Sequence, residues 1–149
     1  MIGSTLAHYR VLEPLGSGGM GDVYRAQDLL LGRIVALKML RSDAAGEEGT
    51  RRLLDEARAA SALNHPNIAV VYETSEAELD GRPVAYIAME YVEGATVASL
   101  VRRGPIDLDQ VLDIGEQIAD ALTEAQQQLQ EAEDKWLELE VLREEIEQA

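Results

Sequence analysis

The chain has 149 residues, of which 46% are hydrophobic and 28% charged, as is typical of a soluble globular protein with one domain and an appendage. A formal net charge of −15 makes nucleic acid and anionic membranes poor partners. The sequence has no cysteine, which excludes disulfides and Cys-based metal sites, and its two histidines are too few for a His-rich site.

The first ten residues, MIGSTLAHYR, lack the long apolar region of a signal peptide. The longest apolar stretch of the chain is interrupted by Arg33 and Lys38, well short of the length of a membrane span. We therefore expect a cytoplasmic protein that makes no membrane contact.

Three short strand-like segments open the chain and predict three antiparallel strands. They cover residues 9–15, 22–26 and 33–40, and a glycine-rich turn at 16–21 joins the first two. The third segment has an apolar run suited to burial. This run carries Lys38 towards a buried site.

The glycine-rich turn and Lys38 together have the layout of a phosphate-holding hairpin. Gly16, Gly18 and Gly21 can adopt backbone angles closed to other residues and can bring N–H groups close to an anion. Lys38 supplies a compact positive charge for the same phosphates. Eleven of the 13 basic residues are arginine, so a lysine at this position departs from the usage of the chain. Because such a glycine pattern alone is more often a simple turn, the site depends on its companions.

The next segment predicts a loop and then a helix. Residues 42–49 are polar and glycine-broken, and they lead to Thr50 as a possible N-cap of a helix over 51–63. Glu56 lies beside the apolar stripe of this helix, so it either faces solvent or reaches Lys38 across the sheet. The predicted inward positions are Leu53, Ala57, Ala60 and Leu63.

Two further strands are predicted at 68–73 and 83–91, on either side of a polar stretch in which Asp80-Gly81 is a hairpin signal. A short helix follows over 96–103. In order, these elements predict a five-stranded antiparallel sheet with one helix inserted after its third strand.

The last segment predicts one long helix, with Asp107 as a good N-cap and no proline after it. If continuous over 108–149, the helix would be roughly 60 Å long at ~1.5 Å per residue, more than one small domain can bury. From residue 118 the apolar positions alternate spacings of four and three, which is typical of a coiled-coil seam and is broken at Arg143. The seam consists of Ile118, Leu122, Ala125, Leu129, Ala132, Trp136 and Leu139.

Four motifs occur in order along the first 125 residues. They are the glycine loop GSGGMGDV at 16–23, the strand VALK at 35–38, Glu56 within DEARAASALNHPNI, and the segment MEYVEG at 89–94. This series resembles the glycine loop, ATP-lysine strand, helix-C glutamate, and gatekeeper and hinge of a bacterial eukaryotic-like (Hanks-type) Ser/Thr protein kinase.

The resemblance implies an α+β fold with a kinase N-lobe, formed by a five-stranded antiparallel sheet and helix C. A short helix and one long C-terminal helix would follow. The implied divisions are an N-lobe and hinge at 9–93, the start of the C-lobe at 94–125, and an acidic coiled-coil-like tail at 126–149. The tail has 8 acidic and 2 basic residues, a net charge of −6.

The resemblance also implies roles at an ATP site. Loop amides would cover the phosphates, Lys38 would contact the α and β phosphates, and Glu56 would hold Lys38 in position. The backbone of Glu90 and Val92 would offer the adenine one acceptor and one donor, while Met89 would limit the depth of the pocket. The implied ATP-contacting residues are Leu15, Gly16, Ser17, Gly18, Gly19, Met20, Gly21, Val23, Ala36, Lys38, Met89, Glu90 and Val92.

The sequence departs from the family at its catalytic motifs. A kinase needs an HRD aspartate, an asparagine for the second metal ion and a DFG aspartate for the first. No histidine follows His65, no asparagine follows Asn67, and phenylalanine is absent from the chain. We therefore expect weak or unproductive ATP binding, and magnesium binding only if a missing lobe is supplied.

Two classes of function remain open. The first is an incomplete Ser/Thr kinase domain, truncated or completed elsewhere, that cannot transfer phosphate alone. The second is a non-catalytic, pseudokinase-like interaction module that forms a homodimer or binds a partner protein through its C-terminal helix. Loss of the catalytic motifs favours the second class, and the intact residues around Lys38 favour a catalytic ancestry.

Overall fold

The computed structural model describes residues 1–18, 21–40 and 42–148, with the side chains of 42–47, 136, 140–142 and 144–148 outside the description. The chain divides into two compact units. Unit 1 comprises Met1–Asn64 and Ala69–Gly94, and unit 2 comprises His65–Ile68 and Ala95–Ala149.

Unit 1 contains an antiparallel sheet that has six strands within the described residues, in the order β1-β2-β3-β4-β6-β5. Five of them correspond to the predicted strands. The prediction omitted the edge strand β1, because two residues carry no periodic signal. The strands are β1 Thr5–Leu6, β2 Tyr9–Gly18, β3 Gly21–Asp28, β4 Ile34–Leu40, β5 Val71–Leu79 and β6 Arg82–Glu90.

The hairpin between β5 and β6 confirms the predicted turn at Asp80-Gly81, where the two residues have φ of 52° and 76°. The first of its strands was placed too early, because β5 extends through the stretch that was predicted to be a polar connection. In that stretch Glu76 and Glu78 alternate with Ala77 and Leu79, so one face of a strand is apolar and the other is polar.

The main apolar core of unit 1 lies on one face of the sheet, and a partly exposed carboxylate bonds to two of its tyrosines. The Glu73 carboxylate accepts hydrogen bonds from the hydroxyls of Tyr9 (2.8 Å) and Tyr86 (2.7 Å). Burial and the Glu73 carboxylate raise the pKa of Tyr86 to about 12. The buried core residues are Leu6, Tyr9, Val11, Ala26, Val35, Leu37, Met39, Leu79, Tyr86 and Ala88.

Helix α1, Ser42–Ala60, begins earlier than predicted. Residues 42–49 were expected to form a loop, and Thr50 was expected to be the N-cap; instead Thr50 lies within the helix and is buried. Alanine and glutamate at four of these positions favour a helix enough to offset the two glycines. The helix packs Leu54 on the sheet beside Leu40, Ala85 and Ile87.

Unit 2 begins with helix α2, Val97–Arg103, whose N-cap Thr96 accepts a hydrogen bond from the Ser99 N–H at 3.1 Å. Helix α3, Leu108–Gln148, then runs without interruption for 41 residues. The Asp107 carboxylate accepts from the Gln110 N–H at 2.9 Å, which confirms the predicted cap. The helices of the described chain do not include one long and apolar enough to cross a membrane.

Candidate functional site

Strand register brings four predicted site residues to one face of the sheet. Val23 lies opposite Lys38 on neighbouring strands, and Ala36 lies opposite Met89. Directly opposed residues point to the same side of a sheet, as do alternate residues along a strand. Val23, Ala36, Lys38 and Met89 therefore share one surface, although they come from three strands.

The glycine hairpin adjoins this surface. Gly16 pairs with Val23, and Gly18 pairs with Gly21 at the end of the two strands. At Gly21, φ is 156° and an added Cβ would lie 2.2 Å from the Met39 carbonyl oxygen, so only glycine fits there. The predicted contacts Gly19 and Met20 lie outside the described residues. Leu15, at the start of the hairpin, is exposed on β2.

The predicted ion pair between Lys38 and Glu56 is not formed within the described residues. The Glu56 carboxylate lies 3.6 Å from the Arg52 guanidinium instead, and both side chains are largely exposed. Leu54 and Ala57 face the sheet, and each step along a helix turns by about 100°, so Glu56 lies to the side of the packed face. The solvent-facing alternative from the sequence describes Glu56 in this structure.

The predicted hinge begins where β6 is fixed to the segment before β5. Glu90 donates its N–H to the Val70 carbonyl oxygen at 2.8 Å, and its carboxylate accepts from the Val70 N–H at 3.1 Å. These reciprocal bonds hold the backbone just before the exposed Val92. Met89 is partly buried beside the cluster that packs under α1.

Sequence reasoning missed two residues on the site face. Arg25 lies opposite Ala36, and Ile87 lies opposite Lys38. The Arg25 guanidinium forms a 2.9 Å ion pair with Glu13, and its central carbon lies 5.6 Å from the centre of the Tyr91 ring. The period of two along β3, counted from Val23, is the signal that would have identified Arg25.

A cavity of about 820 Å³ in unit 1 lies between α1 and strands β5 and β6. Its lining includes Leu54, Arg58 and Ser75, and it contains neither Lys38 nor the glycine loop. Helix α1 covers part of the site face, since Ile87 and Met89 pack in the same cluster as Leu54. Among the described residues, no group of three or more His, Asp or Glu side chains is arranged to hold a metal ion.

Comparison with known proteins identifies the fold. The family model for the protein kinase domain matches residues 9–128. The chain therefore belongs to the protein kinase domain family, and the matched residues form the N-terminal region of a bacterial Hanks-type Ser/Thr kinase. Residues 129–149 lie outside the family match.

The relatives are bacterial Ser/Thr kinases. The chain is 42% identical to serine/threonine-protein kinase PrkC of Bacillus subtilis over 130 residues, which are 85% of this chain and 19% of that protein. It is 45% identical to PknB of Mycobacterium tuberculosis over 115 residues, 76% of this chain and 18% of PknB. The crystal structure of the M. tuberculosis PknI kinase domain superimposes with a TM-score of 0.71 at 33% identity, covering 86% of this chain and 51% of that domain.

The chain therefore spans about a fifth of the length of these relatives and about half of the solved kinase domain. The family match over residues 9–128 contains strands β2 to β6, both α1 and α2, and the start of α3. The kinase family and the mixed α+β fold with a long C-terminal helix, both predicted from the sequence, are confirmed.

Proposed function

We propose that unit 1 is the half of a Ser/Thr protein kinase ATP site that covers one side of the adenine and contacts the phosphates. The observation that carries this proposal is the common sheet face of Val23, Ala36, Lys38 and Met89. Val23 and Ala36 would cover the adenine, Met89 would limit the depth of the pocket, and Lys38 would meet the phosphates. The hairpin amides between Gly16 and Gly21 would add N–H donors to the same phosphates.

We further propose that this chain binds ATP weakly and does not transfer phosphate on its own. The 149 residues contain neither an HRD nor a DFG motif, so the chain supplies no catalytic-loop aspartate and none of the family's metal ligands. Without a metal ion, the triphosphate charge would meet one lysine and the loop amides in a protein of net charge −15.

The test is titration of a fluorescent ATP analogue into the chain and into its Lys38→Met variant, each with and without magnesium. We expect weak binding by the chain, no gain from magnesium and weaker binding still by the variant. Tight magnesium-dependent binding would contradict the proposed weakness. Equal binding by the chain and the variant would contradict the site itself. A phosphorylation assay with labelled ATP should show no transfer above that of the variant.

A second function, self-association through α3, is favoured by the exposure of its heptad seam. Four seam residues are 57–61% exposed: Ile118, Leu122, Leu129 and Leu139. A row of large apolar side chains along one helix is costly in water and is buried when two such helices pair. In this function the chain would act as a pseudokinase-like interaction module, with or without nucleotide.

Light scattering at increasing protein concentration tests this second function. The chain should form a dimer, and high salt should strengthen the dimer because two acidic helices repel one another less when screened. The Leu129→Asp variant should remain monomeric. The Gln130→Asp variant adds the same charge beside the seam, at a position that faces away from it, and should dimerise nearly as the parent does. A parent chain that is monomeric at high concentration would exclude self-association.

A further inference from the structure

Arg25 connects three segments of unit 1 on the site face. It lies on β3, opposite Glu13 of β2 and Ala36 of β4. Its Nη1 donates to the Glu13 carboxylate at 2.9 Å, and its central guanidinium carbon lies 5.6 Å from the centre of the Tyr91 ring. One side chain therefore links the strands of the glycine hairpin to the hinge, beside the alanine that would cover the adenine.

The two contacts of this guanidinium have different roles. The Arg25 and Glu13 side chains are 33% and 55% exposed, so water screens their ion pair, which orients the guanidinium more than it stabilises the sheet. The Tyr91 ring lies within the distance of about 6 Å over which an aromatic face attracts a cation. A planar guanidinium can bind a carboxylate and stack on a ring at the same time. Glu13 therefore orients Arg25, and Arg25 holds the ring.

The Nε of Arg25 argues against a purely stabilising role for this side chain. Its N–H is buried, and among the described residues it has no hydrogen-bond acceptor. A buried donor without an acceptor weakens the folded state and calls for an explanation in each case. The contact with the hinge, at the end of the same side chain, provides that explanation.

We propose that Arg25 is a positioning residue of the nucleotide site, which holds the hinge against the sheet through the ring of Tyr91. This inference rests on the ATP site proposed above and adds a residue that orders its adenine end. Tyr91 lies between Glu90 and Val92, whose backbone would bond the adenine. Glu90 is already fixed to Val70 by hydrogen bonds of 2.8 and 3.1 Å, whereas Val92 is exposed. Holding Tyr91 therefore limits the movement of the backbone at Val92.

The contact acts on the adenine end of the site and not on the phosphate end. Arg25 lies opposite Ala36, whereas Lys38 lies opposite Val23 in the neighbouring row of residues. A hinge that is already ordered loses less conformational entropy when it binds a ligand. Loss of the Tyr91 contact should therefore weaken ATP binding by about two- to fivefold, the range that a partly exposed cation–π pair supports. Binding of inorganic triphosphate should not change.

Backbone order parameters from NMR relaxation test the contact in the full chain without nucleotide. In Arg25→Met, the order parameters of the Tyr91 and Val92 N–H bonds should fall from about 0.85 towards about 0.6. Arg25→Lys keeps the charge and should retain most of the order. The control is Arg82→Met, the same change at an exposed arginine at the other end of β6, and it should leave the hinge as in the parent. A cooperative urea transition confirms that each variant is folded.

A double-variant cycle tests whether the Tyr91 ring is the partner of Arg25. Tyr91→Phe keeps the ring and should leave hinge order and ATP affinity near the parent values. Tyr91→Leu removes the ring and should match Arg25→Met. Because both changes remove the same contact, their combination should weaken ATP binding no more than either change alone. Additive losses would overturn the assignment of Tyr91 as the partner.

NMR titrations with ATP and with inorganic triphosphate separate the possible errors. Weaker ATP binding by Arg25→Met, with unchanged triphosphate binding and recovery in Arg25→Lys, would support the positioning role. An equal loss for both ligands, or hinge order unchanged from the parent, would overturn that role while leaving the ATP site in place. A parent chain that binds neither ligand would overturn the ATP site and, with it, the role of Arg25, even if the hinge order still depends on Arg25.

Discussion

The sheet of unit 1 and helix α3 of unit 2 differ in how far their apolar side chains are buried. Leu37 in β4 is fully buried, because strands distant in sequence close around it. Leu129 in α3 is 59% exposed, because the backbone hydrogen bonds of a helix are satisfied locally and impose no tertiary partner. The sheet therefore owes its stability to packing among its own strands, whereas the large seam residues of α3 gain little burial within the described part of the chain.

The largest expected effect tests this contrast. Leu37→Ala should lower the free energy of unfolding of unit 1 by about 3 kcal/mol, because it removes a fully buried side chain and leaves a cavity. The matched change Leu129→Ala should cost less than about 0.5 kcal/mol in dilute protein, where α3 is unpaired. Urea unfolding of both variants measures the difference, and equal losses would remove the contrast.

The glycine loop provides the next test. Gly21→Ala should destabilise unit 1 by about 2 kcal/mol, because its Cβ would meet the Met39 carbonyl oxygen in a backbone conformation that L residues rarely adopt. The control is Gly16→Ala, where a Cβ meets open space. This second variant should unfold at nearly the parent urea concentration, and a large loss there would mean that the hairpin is packed differently.

Much of unit 1 was predictable from the sequence, because its signals are local and its motifs have fixed order. Lys38 and Val23 were correctly assigned to adjacent strands, and Asp80-Gly81 was correctly assigned to a turn. The strand register that places Arg25 and Ile87 on the site face was not predicted, because strand pairing is a long-range property. Glu56 was expected to reach Lys38, but its carboxylate lies near Arg52, because its direction depends on which helix residues pack on the sheet.

In unit 2 the helices were predicted from the sequence, but the contacts made by α3 were not. The Asp107 cap and the continuity of α3 follow from capping chemistry and helical spacing, whereas Thr96 was predicted to be the first residue of α2 and is its N-cap. The flank covered by His65–Ile68 was not predicted, because that segment is separated from α3 by about 50 residues of sequence. The side chain at position 136 of the predicted seam is outside the described part of the chain.

Acid should weaken unit 1 through Asp28, which is 1% exposed. Burial alone would raise the pKa of Asp28, but hydrogen bonds from the N–H groups of Leu31 and Leu30, and from Arg33, lower it overall. Its stabilising contribution is therefore complete above the unfolded value of 3.8 and is lost as the pH falls through the lower folded value. Urea unfolding at several pH values below 4 should show a steeper loss of stability for the parent than for Asp28→Asn. Parallel curves would show that Asp28 does not carry this dependence.

The smallest expected effect lies in unit 2. Thr96→Ala removes the side chain that accepts the Ser99 N–H at the start of α2 and should cost about 1 kcal/mol of local helix stability. Thr96→Ser keeps the hydroxyl and should restore most of the loss. Amide hydrogen exchange over α2 measures this effect without requiring the whole chain to unfold, and unchanged exchange in the alanine variant would contradict the cap.

The central claim, that one face of the sheet is half of an ATP site, is tested most directly by a lysine-reactive ATP analogue that acylates the amine nearest its phosphates. The chain has two lysines, Lys38 on the site face and Lys135 on α3, so the second is an internal control. Mass spectrometry should find the label mainly on Lys38, and excess ATP should reduce that labelling while leaving Lys135 unchanged. Equal labelling of the two lysines, insensitive to ATP, would contradict the claim.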